Sequence, residues 1–120
     1  MVKRVSEQKT MERAPGVGFH LFVEPEEIHG AGRLFGKITI QPGSGISPHR
    51  HDDEMETFYV AKGTCRMDDN GKTTHLSEGD VLVTKCGDNH AVFNDTNEPV
   101  ELIAFIASVK QGKPGSSTPL

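Results

Sequence analysis

The feature that most constrains this chain is a pair of histidines separated by one residue. His49 and His51 lie in a segment that begins at Gly43 and ends at Gly63. On an extended strand, residues two apart point to the same face of a sheet. The two imidazoles therefore project together, as two ligands of one metal ion must. The spacing predicts a β-strand that carries part of a metal site, and the glycines predict a hairpin whose second strand follows the histidines.

Two further side chains complete a candidate ligand set. Glu56 follows the histidine pair, and His90 comes later, after a strand-like segment and a turn around Gly87. Three imidazoles and one carboxylate suit a divalent transition metal, and Mn, Fe, Ni, Co, Zn and Cu are all compatible with them. Glu54 is a rival carboxylate, because a turn could present it only three residues after His51.

The spacings in the two segments form two motifs. The first reads G-x5-H-x-H-x4-E-x6-G and the second G-x5-K-x-G-x2-H-x3-N, over residues 43–63 and 79–94. Together they resemble the cupin superfamily, which has a proline where Lys85 stands here. With flanking strands, the resemblance covers about residues 15–108. The motif positions are Gly43, His49, His51, Glu56 and Gly63, followed by Gly79, Lys85, Gly87, His90 and Asn94.

The resemblance implies a fold, a ligand set and an assembly. The fold is a small cupin β-barrel, a double-stranded β-helix of the jelly-roll type, with a metal ion inside. The ligands are His49, His51, Glu56 and His90, and Glu56 is preferred to Glu54 because it alone satisfies the family spacing. The family also implies a homodimer in which N-terminal segments, here around 19–23, pack across a two-fold axis.

The rest of the chain agrees with a single all-β domain. A chain of 120 residues is long enough for one core but too short for two. We expect about eight strands, including a hairpin closed by Asn70-Gly71, a pair that tolerates positive φ. The predicted organisation is an N-terminal arm over 1–14, the barrel over 15–109 and a disordered Gly/Pro/Ser-rich tail over 110–120.

Strand alternation predicts which side chains face the interior. If His49 and His51 point inward, alternate residues of the following strands should do the same. The residues expected to face inward are Glu56, Phe58, Val60, His90, Val92 and Asn94, and Tyr59 is expected to face outward.

The other cysteines and histidines have simpler interpretations. Cys65 and Cys86 are the only cysteines, and we expect two free thiols rather than a disulfide. His75 is near a hairpin end and should be exposed. His29 is either a surface histidine or a proton shuttle over the barrel mouth.

Composition argues against several partners. The net charge of −4 gives no electrostatic reason to expect nucleic acid or an anionic membrane. No apolar run approaches the roughly 20 residues that span a bilayer. The N-terminal segment resembles no signal peptide, so we expect a cytoplasmic protein.

Two functions fit this site. The first is a metalloenzyme, of oxygenase or related oxidoreductase type, acting on a small oxygen-rich molecule. The second is a non-catalytic module that binds a small carboxylate or sugar through the metal. The sequence assigns no catalytic residue beyond the candidate ligands.

Overall fold

The computed structural model describes residues 1–50 and 52–109. They form ten strands, rather than about eight, and two short 3-10 turns at Val5–Glu7 and Pro25–Ile28. The strands are β1 Lys9–Ala14, β2 Val17–Leu21, β3 Gly32–Ile40, β4 Gly45–Arg50, β5 Glu54–Lys62, β6 Cys65–Asp69, β7 Lys72–Leu76, β8 Val81–Thr84, β9 Asn89–Phe93 and β10 Val100–Ser108. None of the described helical segments is long and apolar enough to cross a membrane.

The strands form two sheets. The larger sheet has the order β1-β2-β3-β10-β5-β8, and the smaller has the order β4-β9-β6-β7. All paired strands run antiparallel. The predicted all-β, jelly-roll cupin fold is confirmed as two packed sheets.

Alternating burial along the strands builds the core between the sheets. Leu34 and Ile38 of β3 are buried, while Phe35 and Lys37 between them point outward. Met67 and Val92, from the smaller sheet, belong to the same apolar cluster. Each such side chain contributes about 1.5–3 kcal/mol when it is removed from water, so this shared face holds the two sheets together.

The predicted hairpin around the histidine pair is wrong. β4 pairs with β9 in the smaller sheet, whereas β5 pairs with β10 and β8 in the larger one. The chain passes from one sheet to the other between Arg50 and Glu54. Alternation identifies the face on which a side chain lies, but it does not identify the neighbouring strand.

The N-terminal segment is more regular than its sequence suggests. Residues Lys9–Ala14 form the edge strand β1, and every residue of this strand is exposed. β2 pairs with β3 of the same chain and supplies Val17 to the core. The predicted tail at 110–120 lies outside the described residues.

The hairpin between β6 and β7 follows its sequence signal. Asn70 and Gly71 both have positive φ, at 51° and 81°. These angles give a turn whose twist matches that of the flanking strands. The pairing of Asp69 with Lys72 shows that the turn contains two residues, as predicted.

Candidate metal site

Three of the four predicted ligands converge between the two sheets. His49 comes from β4, His90 from β9 and Glu56 from β5. One ligand atom from each lies within 4.8 Å of the others. Two imidazole nitrogens and a carboxylate oxygen in this arrangement suit a divalent transition metal.

Strand register accounts for this convergence. His49 lies directly opposite His90 in the pairing of β4 with β9, and their ring centroids are 4.2 Å apart. Glu56 reaches them from the opposing sheet. Its Oε1 lies 2.9 Å from Nε2 of His90 and 3.7 Å from Nε2 of His49.

The site is buried on one side and open on the other. The side chains of His90 and Glu56 are 0% and 4% exposed, whereas that of His49 is 33% exposed. A ligand therefore reaches the cluster from the His49 side. The burial of His90 and Glu56 also keeps water from competing with a metal ion for their ligand atoms.

The ring of His49 is oriented by the backbone. Its Nδ1 lies 2.9 Å from the carbonyl oxygen of Ser47. When Nδ1–H donates to that oxygen, the Nε2 lone pair is directed toward Glu56 and is available to a metal. The neighbouring Glu56 carboxylate raises the pKa of His49 above its ordinary value, although partial burial acts in the opposite direction.

The predicted inward and outward faces are confirmed. Phe58 and Val60 are buried beside Glu56, whereas Tyr59 between them is 45% exposed. Val92 and Asn94 are buried on the same side as His90. The Phe58 ring lies 5.6 Å from the His90 ring, so an apolar wall lines the inner side of the cluster.

Two other predictions concern individual ligands. His51 lies outside the described residues, and its role stays a prediction. Glu54 does not belong to the three-residue cluster. Its carboxylate accepts hydrogen bonds from Nε of Arg33 at 2.9 and 3.1 Å, which supports Glu56 as the carboxylate of the site.

Lys85, which stands in place of the family proline, has a backbone role. Its N–H donates to Oδ2 of Asp88 at 2.8 Å, and the Asp88 N–H donates to the Lys85 carbonyl at 2.9 Å. Gly87 completes the turn with φ of 88°. A proline has no N–H, so this chain fixes the turn with a hydrogen bond instead of a ring.

Asn94, the last motif position, anchors a turn. Its Nδ2 donates to the carbonyls of Ile40 at 2.8 Å and Glu98 at 2.7 Å. Its Oδ1 accepts the backbone N–H of Thr96 at 2.9 Å. These contacts satisfy a buried amide and position the chain after β9.

The cysteines and outlying histidines agree with their simpler interpretations. Both thiols are free, and burial raises the pKa of Cys65 to about 11. The Cys86 thiol donates to the carbonyl of Asp52. His75 is exposed, and His29 is exposed at the end of a 3-10 turn rather than among the residues that line the cavity.

A cavity of about 460 Å³ opens from the cluster. His49 and Glu56 line one part of it, and Arg13 and Arg33 line it as well. Sequence patterns did not identify these arginines, because β1 has no alternation of polar and apolar residues and Arg33 follows the pattern of a solvent-facing strand position.

Asp69 is a third charged residue that was not predicted. It lies directly opposite His90 in the register of β6 and β9. Its Oδ1 is buried and accepts no hydrogen bond from the described residues. The signal was present in the sequence, since Cys65, Met67 and Asp69 alternate on the inward face and only Asp69 is charged.

Comparisons with known proteins agree with this geometry. An oxalate-binding protein from Thermotoga maritima is 36% identical over 81 residues, which are 68% of this chain and 67% of that protein. The crystal structure of a predicted oxalate decarboxylase from Thermotoga maritima superposes with a TM-score of 0.81. It is 31% identical, and the match covers 91% of this chain and 100% of that one.

A third protein is similar to this chain over only a small part of its own length. Mannose-1-phosphate guanylyltransferase ManC of Salmonella typhimurium is 33% identical over 67 residues, which are 56% of this chain but 14% of that enzyme. The family model described as "Cupin domain" matches residues 36–106, which include both motifs. This chain therefore belongs to the cupin family.

Proposed function

We propose that this chain is a metal-dependent cupin that binds a small carboxylate. His49, His51, Glu56 and His90 would hold a divalent metal, and the carboxylate would occupy the coordination positions that face the cavity. The observation that carries the proposal is the cluster of His49, Glu56 and His90 at the wall of an open cavity. The similarity to an oxalate-binding protein supports the choice of ligand class.

Electrostatics favours an anionic ligand. Three neutral imidazoles and one carboxylate leave a net charge near +1 on a bound divalent ion. An octahedral ion held by four protein ligands keeps about two positions open, which suits a bidentate carboxylate. The metal would supply positive charge to the carboxylate oxygens, while His49 and Glu56 orient the site.

A metalloenzyme is the second candidate. It is favoured by the cavity, which leaves the cluster accessible to a substrate, and by the resemblance to a predicted oxalate decarboxylase. However, Glu56 is the only carboxylate among the described residues that line the cavity, and the proposed ligand set already uses it. Because proton transfer in decarboxylation needs a further positioned acid or base, we place binding before turnover.

One experiment separates these functions. The protein is analysed for metal as isolated, and the manganese-loaded form is titrated with oxalate by calorimetry. We expect binding at one oxalate per chain, and no binding to chelator-treated protein. Release of formate or uptake of oxygen over many turnovers would establish the enzyme instead. The absence of metal-dependent oxalate binding and of turnover would reject both candidates.

We also propose that the chain forms a homodimer and is cytoplasmic. The support for a dimer is an exposed apolar area on the outer face of the larger sheet, which includes Phe35, Tyr59 and Phe105. Apolar patches of this kind on soluble proteins often mark interfaces. Two free cysteines agree with the reducing conditions of the cytoplasm.

A further inference from the structure

The cavity has a positively charged end that the metal site does not require. Arg13 of β1 lines the same cavity as His49 and Glu56. Its guanidinium carbon lies 5.3 Å from the centre of the Phe19 ring. Within residues 1–50 and 52–109, the hydrogen-bond partner of the Arg13 side chain is the sulfur of Met11, and no carboxylate pairs with it. Such a guanidinium is available to a ligand anion.

The charges around the cavity favour an anion at this end. Arg33 also lines the cavity, and its interaction with Glu54 balances its charge. Of the described lining residues, Glu56 alone is acidic, and it belongs to the metal cluster. Arg13 therefore adds an uncompensated positive charge to the cavity of a chain whose net charge is −4. Guanidinium groups bind carboxylates through paired, charge-assisted hydrogen bonds.

The two ends of the cavity are far apart. Arg13 is on β1 and Glu56 on β5, and three strands separate them in the sheet order. Four steps of about 4.8 Å give about 19 Å along the sheet, and inward side chains and sheet curvature shorten this gap. Oxalate, with two carbons, cannot span it.

The wall between these ends is apolar. Phe19, Leu34, Ile38, Phe58 and Ile106 all line the cavity. Its volume of about 460 Å³ is within the range of roughly 300–1,000 Å³ found for sites that enclose larger organic ligands. Oxalate has no apolar surface to place against this wall. A ligand with a hydrocarbon chain would cover these apolar side chains and exclude water from them, and it would bind more tightly than oxalate for that reason.

We propose that the cavity binds an elongated organic acid with an anionic group at each end. One carboxylate lies at the metal donors, the apolar chain lies along the inner wall, and the second anionic group pairs with Arg13. This inference rests on the proposed function, since it uses the same metal site for one end of the ligand. Arg13 is the residue that selects a diacid over a monoacid.

Calorimetry on manganese-loaded protein tests the proposal with three probes: suberate, an eight-carbon diacid; octanoate, the matching monoacid; and oxalate. We expect suberate to bind at least about tenfold more tightly than octanoate, because only suberate can form charge-assisted hydrogen bonds with the Arg13 guanidinium. The Arg13→Gln variant should lose this preference. Its affinities for octanoate, oxalate and manganese should change less than about twofold.

Lys9→Gln is the matched control. Lys9 is also a cation of β1, but it pairs with Glu24 at 3.0 Å and does not line the cavity. This variant should keep the preference for suberate, which separates a direct contact from a general loss of charge. Arg13 is exposed, so the loss of its contact with the Phe19 ring should lower the melting temperature only slightly.

The outcomes distinguish the two proposals. Equal binding of suberate and octanoate by the wild type, or a preference that survives in Arg13→Gln, would overturn the diacid proposal. If oxalate still binds in either case, the proposed function stands. If neither oxalate nor suberate binds to the metal-loaded protein, the proposed function fails and the diacid proposal fails with it.

Discussion

Two glutamates of the same strand show how position decides the role of a residue. Glu56 and Glu54 are two residues apart on β5. The Glu56 side chain is 4% exposed and lies beside two imidazoles. The Glu54 side chain is 21% exposed and binds Arg33. Only Glu56 combines burial with neighbouring nitrogen donors, and this combination is what a metal site requires.

The first prediction separates these two carboxylates. Glu56→Ala should lower metal affinity by more than about 100-fold, since even the loss of outer partners of ligands costs about 10–100-fold. Glu54→Ala, the matched control, should retain near-normal affinity. Titration of metal-free protein with manganese, in competition with a chelator, measures both. A Glu54 variant that loses metal while Glu56→Ala keeps it would contradict the assignment.

The second prediction concerns pH. Metal binding needs neutral imidazoles, so affinity should fall as pH falls through the histidine range, near 6.5. The raised pKa of His49 in the metal-free protein moves the start of this loss to higher pH.

The folding stability of the metal-free protein should change with pH in the opposite direction to the metal affinity: it should fall as pH rises. A histidine whose pKa is raised by folding contributes stability below its unfolded pKa, and this contribution is lost as pH rises through the folded pKa. Chelator competition and thermal melting across pH 5–8, near the ordinary histidine pKa, measure the two effects. Metal affinity that does not change over this range would contradict a site built from three histidines.

In one turn, a hydrogen bond takes the place of the proline ring that the cupin motif has at this position. The Lys85–Asp88 turn precedes β9 and therefore positions His90. The Asp88 carboxylate accepts from the Lys85 N–H, and interactions with Asn70 and Lys85 lower the pKa of Asp88. The Asp88 side chain thus connects the turn of the second motif to the β6–β7 hairpin.

The third prediction tests this turn. Lys85→Pro restores the family residue but removes the N–H that binds Asp88, so we expect a lower melting temperature. Asp88→Ala should also destabilise the wild type, and should destabilise the Lys85→Pro background less, because only the interaction of Asp88 with Asn70 remains to be lost there. Thermal melts of the two single variants and the double variant measure this coupling. Additive effects of the two substitutions would show that the hydrogen bond does not stabilise the turn.

Strand faces could be predicted from the sequence, whereas strand partners could not. Alternation along β5 and β9 placed Glu56, Phe58 and His90 inside, because the inward face of each strand is buried. The same alternation fits a hairpin or a crossing between sheets equally well, and β4 and β5 adopt the second. β1 had no signal, since an edge strand with every residue exposed has no apolar face.

The outer face of the larger sheet carries an uncharged row that contains two exposed aromatic side chains. Phe35 of β3 lies opposite Phe105 of β10, and their rings are 6.0 Å apart in an edge-on arrangement. Phe105 in turn lies opposite Thr57, which pairs with Val83. These side chains form a row across four strands in which no residue is charged. The cavity and the metal cluster lie on the opposite face of this sheet.

The last prediction is that this row is the interface of a homodimer. The family resemblance implied a dimer built by segments around 19–23, but β2 lies in the chain's own sheet and supplies Val17 to the core. Deleting 1–23 would therefore damage the monomer itself, so a point substitution is the sharper test.

A two-fold axis brings equivalent surfaces together, and a row of apolar residues is complementary to its own copy. Val83 is 50% exposed, and Val83→Glu should shift the protein toward monomer at micromolar concentration, because each interface would bury two unpaired carboxylates. His75→Glu, at an exposed position of the smaller sheet opposite Arg66, is the control and should remain dimeric. Light scattering coupled to gel filtration measures both. An intact chain that is monomeric at this concentration, or a Val83→Glu variant that stays dimeric, would exclude this face as the interface.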